Sequence, residues 1–120
     1  MADITDFDIG QGETFKILTH IYTEVSSSVP LNITNYTFSG SVRENYTTEE
    51  IAANFNITKI APFSSGSLFI SLTPEQTKQL SQRMYVYDIL MINNDPDLET
   101  PTVRRLLEGS FTIRPAVTIL

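Results

Sequence analysis

The sequence predicts an all-β protein: an antiparallel sandwich or small barrel with one or two short crossover helices. Three observations predict this fold class. Apolar and polar residues alternate along five stretches of the chain, turn-forming residues separate those stretches, and only two short segments have a helical pattern. The chain has 120 residues, of which 41% are hydrophobic, so we expect a single domain with a buried core.

Five stretches have the two-residue period of a β-strand, in which successive side chains point to opposite faces. In chain order they are ETFKILTHIYTE, NYTFSGSVR, SGSLFISLT, MYVYDILMI and GSFTIRPAVTIL. The residues that share one face within each stretch are Phe15, Ile17, Thr19 and Ile21; Tyr36, Phe38 and Val42; Leu68, Ile70 and Leu72; Tyr85, Tyr87, Ile89 and Met91; and Phe111 and Ile113, then Val117 beyond a proline that suits an edge strand. We expect each stretch to form a strand.

Two segments between these strands have helix-start signals. TTEEIAANF offers Thr47 or Thr48 as an N-cap, followed by two glutamates where the helix dipole favours negative charge. TPEQTKQLSQRM offers Thr73 as an N-cap and Pro74 at the first helical position. Both segments are short, so we expect them as crossovers between strands.

The acidic stretch NNDPDLE, residues 93–99, separates the last two long alternating stretches. Asn, Asp and Pro are the ordinary residues of a turn, so we expect a hairpin tip here, with Gly109 in the returning strand where a side chain would not fit or a bulge is needed. A calcium loop is the alternative. An EF-hand loop starting at Asn93 would need glycine and glutamate where the chain has Leu98 and Arg104, which argues against that alternative.

The chain divides into a short N-terminal segment and one domain. Residues 1–8 are acidic and polar, and we expect them to be flexible alone and ordered on assembly. Their removal should then impair assembly but not folding. Residues 9–120 form the single β-sandwich domain. The start of the chain has neither the basic nor the apolar region of a signal peptide, which favours synthesis in the cytoplasm.

Composition argues against several classes of protein. The net charge of −6 argues against a nucleic-acid partner, because phosphates are neutralised by basic surfaces. No apolar run is long enough to cross a bilayer, which predicts no membrane partner. The absence of cysteine removes disulfides, thiolate zinc sites and cysteine nucleophiles.

Few residues have the pattern of a chemical site. His20 is the single histidine and lies in a strand pattern, with no nucleophile elbow elsewhere, so we expect no enzymatic activity, no cofactor and no metal. The candidate partner contacts are Arg43, Arg104 and Arg105, because arginine is enriched at interfaces. The alternative is that these arginines are solvated strand ends.

Two further sets of residues have both a functional and a structural interpretation. The tyrosines could form a carbohydrate platform, but strand tyrosines are more often packed in the core. Four Asn-x-Thr sequons match glycosylation acceptors, but the Asn- and Thr-rich composition favours chance. The tyrosines are Tyr22, Tyr36, Tyr46, Tyr85 and Tyr87, and the sequon asparagines are Asn32, Asn35, Asn45 and Asn56.

The order of five segments resembles that of small structural proteins of tailed bacteriophages. The segments are DFDIGQGETFKILTHIY, PLNITNYTFSGSVR, SGSLFISLTPEQTKQL, YVYDILMI and TVRRLLEGSFTIRPAVT, so that the resemblance covers residues 7–118. The family consists of Ig-like β-sandwich domains in tail, baseplate and fibre-adaptor components, and includes the N-terminal domain of the lactococcal-phage upper baseplate protein. The segment ENYTTEEIAANFNITKIAP is the part least similar to it.

The resemblance implies an Ig-like sandwich and a function in the virion. It implies a non-enzymatic structural protein of the tail, baseplate or fibre-attachment region, made in the host cytoplasm. Its partners would be other virion structural proteins, arranged in a symmetric ring. The alternatives are a capsid decoration protein and a small carbohydrate- or receptor-binding module of a fibre.

Overall fold

The computed structural model describes residues 3–23 and 28–117, with only the backbone described for Asp3. These residues form nine strands, one α-helix and one short 3-10 turn, Phe63–Ser65. The strands are β1 (Asp3–Ile4), β2 (Phe7–Gly10), β3 (Phe15–His20), β4 (Tyr36–Arg43), β5 (Ala53–Asn54), β6 (Asn56–Lys59), β7 (Ser67–Leu72), β8 (Met84–Asn93) and β9 (Thr102–Arg114), and the helix is α1 (Pro74–Lys78).

The strands form two sheets that pack face to face. In the larger sheet the order is β1, β9, β8, β4 and β5, with β2 also paired to β9; β1 and β2 run parallel to β9 and the other pairs are antiparallel. In the smaller, antiparallel sheet the order is β3, β7 and β6. This places β4, β8 and β9 as strands C, F and G, and β3, β7 and β6 as strands B, E and D, of an Ig-like sandwich. The predicted all-β Ig-like fold is confirmed.

The core consists of side chains from the inner faces of both sheets. Phe111 is fully buried at its centre, and the ring centroids of Phe7 and Phe111 lie 5.0 and 5.1 Å from that of Phe15. Phe55 and Tyr87 complete this aromatic cluster, with ring centroids 5.8 Å apart. Edge-to-face pairs at these distances stabilise a core beyond the area that they bury.

Helix α1 begins where the sequence predicts. The Thr73 hydroxyl accepts a hydrogen bond from the Gln76 backbone nitrogen at 3.2 Å, and the Gln76 side chain accepts one from the Thr73 nitrogen at 2.9 Å. This is a capping box, and Pro74 occupies the first turn without losing a hydrogen bond. One predicted crossover helix is therefore confirmed, although it ends at Lys78, well before the end of the segment TPEQTKQLSQRM.

The second predicted helix, TTEEIAANF, is wrong. The Asn45 side chain accepts hydrogen bonds from the backbone nitrogens of Thr47 and Thr48 at 3.0 and 2.8 Å, so it folds the expected N-cap residues into a turn. Beyond the turn, β5 pairs with β4 and the buried Phe55 lies between β5 and β6, where the chain crosses between sheets. Phe55 thus contributes its ring to the core from a connection between two short strands, not from a helix.

The N-terminal segment also differs from expectation. Within residues 1–8, described from Asp3 onwards, the chain forms β1 and the first half of β2, so the boundary expected after residue 8 falls inside a strand. The physical reason is that Phe7 joins the aromatic cluster and the Thr5 carbonyl accepts a hydrogen bond from the Tyr87 hydroxyl at 2.6 Å. Met1 and Ala2 lie outside the described residues.

The predicted hairpin is confirmed: β8 and β9 pair along their lengths and are joined by residues 94–101. Gly109 has a φ of 156°, and a Cβ there would collide with the Thr5 carbonyl oxygen, so the expectation that no side chain fits is also confirmed. Strand β9 ends at Arg114, so the predicted continuation of the strand beyond Pro115 to Val117 is wrong, and Val117 is exposed. Within residues 3–23 and 28–117, no helix has the length and apolarity to span a membrane.

Candidate partner-binding cleft

A cleft of about 620 Å³ opens at the end of the sandwich where β3 ends and β4 and β9 begin. The apolar residues that line it are Ile21, Leu31, Met91 and Leu106, and the aromatic and polar ones are His20, Tyr22, Thr23, Tyr36, Arg104 and Arg105. Two of the three arginines predicted as partner contacts therefore meet at one site.

A β-bulge in β9 determines which residues reach the cleft. Ile89 pairs with Leu107 but Leu90 pairs with Arg105, so Leu106 is an extra residue on β9. Beyond the bulge, Arg104 pairs with Met91, which belongs to the buried face of β8. Cross-strand partners share a face, so the bulge brings Arg104 to the core side of the sheet at its open end.

The two arginines of the cleft lie on opposite faces of β9, because Arg104 pairs with Met91 and Arg105 with the neighbouring Leu90. Among the described lining residues, two are arginines and none is acidic, although the net charge of the chain is −6. Arg104 is exposed, and about half of the Arg105 side chain is exposed. Arg105 forms ion pairs with Asp88 at 3.6 Å and Glu108 at 3.4 Å. Exposed pairs of this length contribute little stability, so the guanidinium can exchange them for another carboxylate at low cost.

Backbone contacts hold the wall of the cleft between β3 and β4. The Lys59 ammonium donates hydrogen bonds to the carbonyl oxygens of Ile33 and Tyr36 at 3.2 and 2.9 Å, and Ile33 is fully buried. The Leu31 backbone nitrogen donates to the Ile21 carbonyl at 2.9 Å. Leu31 and Tyr36 are therefore positioned by fixed backbone.

His20 has a nearby hydroxyl but not the geometry of a catalytic triad. Its Nδ1 lies 2.8 Å from the Ser67 hydroxyl, across the β3–β7 register. Ser67 is only 8% exposed, so a substrate carbonyl has little access to it. Within the described part of the chain, no carboxylate hydrogen-bonds to His20, whereas a triad needs an acid that orients the imidazole. Sequence reasoning did not find Ser67, because the pairing depends on strand register.

Arg43 lies apart from the other two arginines. It ends β4 opposite Val86, whereas the cleft lies at the end where Tyr36 begins the same strand. Its Nη1 donates to the Thr48 carbonyl at 3.3 Å, and its buried Nε has no hydrogen-bond partner among the described residues. The structure does not bring Arg43 into the cleft.

The tyrosines divide into two groups. Tyr85 and Tyr87 are buried, as the packing interpretation predicts. Tyr22 and Tyr36 line the cleft, and 47% of Tyr22 is exposed. Tyr46 is exposed in the connection between β4 and β5, on the side of the sandwich away from the cleft. Two tyrosines, not five, are therefore placed to contact a ligand or partner at the cleft.

The acidic loop uses its side chains to fold itself. The Asn93 side chain accepts a hydrogen bond from the Asp95 nitrogen, and the Asp95 side chain accepts one from the Asp97 nitrogen, each at 3.0 Å. These are successive Asx turns. Across residues 3–23 and 28–117, no group of three or more histidine and acidic side chains is placed to hold a metal ion.

The comparisons with known proteins are limited to the fold. No protein-family model matches the sequence, and no curated protein matches it. Among solved structures, the second Ig domain of the mouse polymeric immunoglobulin receptor is similar over 98% of this chain and 100% of that one, with a TM-score of 0.39 and 8% sequence identity. The strand order described above, rather than this likeness, is the basis for the Ig-like assignment.

Proposed function

We propose that this chain is a non-enzymatic virion structural protein of a tailed bacteriophage, in the tail, baseplate or fibre-attachment region. In this proposal it is made in the host cytoplasm and functions in the virion through contacts with other structural proteins in a symmetric ring. The assignment to a phage rests on the resemblance in segment order. The site of contact rests on the structure.

The observation that carries the proposal is the cleft at the end of the sandwich, where Arg104, Tyr22 and Tyr36 lie beside apolar side chains and Arg105 follows on β9. Arginine and tyrosine are enriched at protein interfaces, and the fully desolvated contacts at the centre of an interface supply most of its binding energy. Guanidinium groups pair with carboxylates through charge-assisted hydrogen bonds, so the arginines would favour a partner that carries acidic side chains. We therefore assign subunit contact to the cleft.

Incorporation into particles tests this proposal. Cells infected with a phage that lacks the gene would be supplied with wild-type chain, with Arg104→Ala/Arg105→Ala, or with Arg43→Ala as the matched control. We expect the double variant to melt within a few degrees of wild type and to be lost from purified particles, while Arg43→Ala is retained. Full incorporation of a folded double variant would contradict the role of the cleft.

The cleft also favours a second candidate function, the carbohydrate- or receptor-binding module. Tyr22 and Tyr36 lie beside the arginines, and aromatic faces next to hydrogen-bond donors are the usual elements of a sugar site. The isolated chain would then bind a glycan saturably, and Tyr22→Ala would abolish that binding. A glycan array on which the wild-type chain binds nothing would reject this candidate.

A further inference from the structure

We infer that β3 is an interface strand: two copies of this chain pair their β3 strands antiparallel and join their smaller sheets into one. Leu18 lies at the centre of the contact, opposite Leu18 of the partner subunit. The contact does not use the arginines of the cleft, so it goes beyond the proposed function and does not depend on it.

Strand β3 is the longest edge strand that the structure describes. Within residues 3–23 and 28–117, β7 is the one strand that pairs with it. It has six residues, whereas the other described strands with a single partner, β1, β2, β5 and β6, have two to four. A long open edge is a template for a further strand, because its outward backbone groups lack partners.

The hydrogen-bond pattern identifies the outward groups of β3. The Ile21 nitrogen donates to the Gly66 carbonyl at 2.8 Å, one residue pair beyond the β3–β7 register. Antiparallel strands exchange hydrogen bonds at alternate residues, so the odd-numbered residues of β3 bond to β7, and the backbone groups of Lys16, Leu18 and His20 point away from it. No described residue hydrogen-bonds to these outward backbone groups.

The edge of β3 lacks the protection that the edge of β6 has. Inward-pointing charges, prolines and bulges are the usual devices that keep edge strands apart. On β6, Lys59 pairs with the fully buried Leu68, so its side chain points inward. On β3, Lys16 lies on the exposed face, and its ammonium is 4.3 Å from the ring centroid of Phe69 on β7. The Lys16 charge is therefore held over β7 and not at the open edge.

A second copy of β3 matches this edge. The residues with outward backbone groups are spaced evenly about Leu18, so an antiparallel copy places Lys16 opposite His20 of the partner subunit and Leu18 opposite its own equivalent. These pairs can exchange about six hydrogen bonds in all. A two-fold axis perpendicular to the sheet relates two identical antiparallel strands that are centred on one residue, so the contact is closed and self-complementary.

The side chains along the edge also gain cover from a second copy. Leu18 is 52% exposed and lies beside Phe69, its cross-strand partner. On the inner face, Ile17 and Thr19 are only partly buried, and the pairing places each of them opposite the other. The contact is confined to one strand edge, so we expect weak association that becomes visible at high concentration.

Single cysteines test the pairing, because the chain contains no cysteine. Hydrogen-bonded antiparallel partners have Cα atoms about 5.5 Å apart, a distance that a disulfide spans. In a glutathione redox buffer, Leu18→Cys should form disulfide-linked dimers at least about tenfold faster than the control Val103→Cys, because pairing raises the local thiol concentration. Val103 is a matched control because it is 58% exposed on β9. Lys16→Cys mixed with His20→Cys should form mixed dimers quickly, whereas neither variant alone should.

Sedimentation of the full chain measures the association itself. We expect wild type to dimerise as its concentration approaches about 1 mM. Leu18→Lys places two like charges opposite each other and should weaken the dimer about tenfold. Val103→Lys changes the net charge by the same amount and should associate like wild type. Both positions are exposed, and thermal melts followed by circular dichroism show that the variants are folded.

Each outcome decides the inference. A wild-type chain that stays monomeric at about 1 mM would overturn it. So would Leu18→Cys that crosslinks no faster than Val103→Cys, or a mixture of Lys16→Cys and His20→Cys that forms no mixed dimers. If wild type dimerises but Leu18→Lys dimerises equally well, the dimer uses another surface and the inference is rejected. The proposed function has a separate test, the incorporation of cleft variants, and stands or falls by that result alone.

Discussion

The Tyr85 hydroxyl lies 2.8 Å from the backbone nitrogen of Ser81 and accepts a hydrogen bond from it. Tyr85 is the second residue of β8, and Ser81 lies upstream in the connection that follows α1. A tyrosine at the start of strand F that bonds to upstream backbone is the tyrosine corner of Ig-like sandwiches. Tyr87 lies two residues further on, at the position where antibody domains have the second cysteine of their inter-sheet disulfide. This chain has no cysteine, and Tyr87 packs in the aromatic cluster instead.

Removal of the Tyr85 hydroxyl should destabilise the fold. Tyr85→Phe leaves the Ser81 nitrogen without its partner in a partly buried position, so we expect a loss of about 1–2 kcal/mol in the free energy of unfolding. Tyr46→Phe is the matched control, since Tyr46 is 73% exposed, and should change that free energy by less than about 0.5 kcal/mol. Urea denaturation measures both. Equal stability of the two variants would contradict a structural role for the corner.

The N-terminal strands should be part of the folding unit. Phe7 packs against three rings of the core and is partly buried, so Phe7→Ala should cost about 2–3 kcal/mol, somewhat less than for a fully buried phenylalanine. Ile4→Ala, at a position that is 77% exposed, should cost less than about 0.5 kcal/mol. Chemical denaturation compares them. A Phe7→Ala variant as stable as wild type would instead support the expectation that residues 1–8 are not needed for folding.

Tyr87 should make stability fall at alkaline pH. Burial raises the pKa of its hydroxyl well above the ordinary value near 10, and the charges of Asp6 and Glu108 raise it further. Because the pKa is raised in the folded state, the contribution of the protonated Tyr87 hydroxyl to the free energy of unfolding is complete below about pH 10. This contribution is lost as the pH rises above that value, by up to about 1.4 kcal/mol per pH unit. Unfolding free energies from pH 8 to 11 measure the slope. Tyr87→Phe should flatten it and Tyr46→Phe should not; an unchanged slope in Tyr87→Phe would refute this assignment.

The Asp8–Arg114 pair should be visible as a depressed carboxyl pKa. Arg114 donates hydrogen bonds of 2.7 and 2.8 Å to the two oxygens of Asp8, and these bonds lower the pKa of Asp8. The stabilisation is therefore present above about pH 4 and is lost as pH falls through the folded-state pKa. In Arg114→Gln, carboxyl NMR titration should show the Asp8 pKa rising towards its ordinary value. The pKa of Asp6 is lowered by the Ser110 backbone nitrogen instead and should stay unchanged, which makes it an internal control.

Elements whose signals are local could be predicted from the sequence. The capping box of α1 needs only Thr73, Pro74 and Gln76, which lie within four residues of each other. The strands follow from a two-residue period that matches their buried faces. In each case the determining interaction lies within the segment or follows from its periodicity.

Features that depend on distant partners could not be predicted in this way. The missed helix in TTEEIAANF combines both kinds of feature. The turn at Asn45 is local, whereas the burial of Phe55 against Phe15 and Tyr87 depends on residues far along the chain. The same Asn-x-Thr spacing forms a turn at Asn32, whose side chain accepts from the nitrogen and hydroxyl of Thr34, so turn formation gives two of the sequons a structural reason.

The cleft has the same limitation. Its arginines were identified as candidates, but their meeting with Tyr22 and Tyr36 depends on the bulge at Leu106 and on the anchoring of the β3–β4 connection by Lys59. Neither the bulge nor the Lys59 hydrogen bonds have a signature in the local sequence. The acidic character of residues 1–8 likewise concealed β2, because the partner of Asp8 is 106 residues away.

The number of copies of this chain in purified phage particles from its source, determined by quantitative mass spectrometry, decides whether it is a virion protein of the proposed kind. We expect a small number in a multiple of three or six, as for a ring of the tail or baseplate. Hundreds of copies would assign the chain to the capsid surface as a decoration protein. Its complete absence from the particles would contradict the virion assignment.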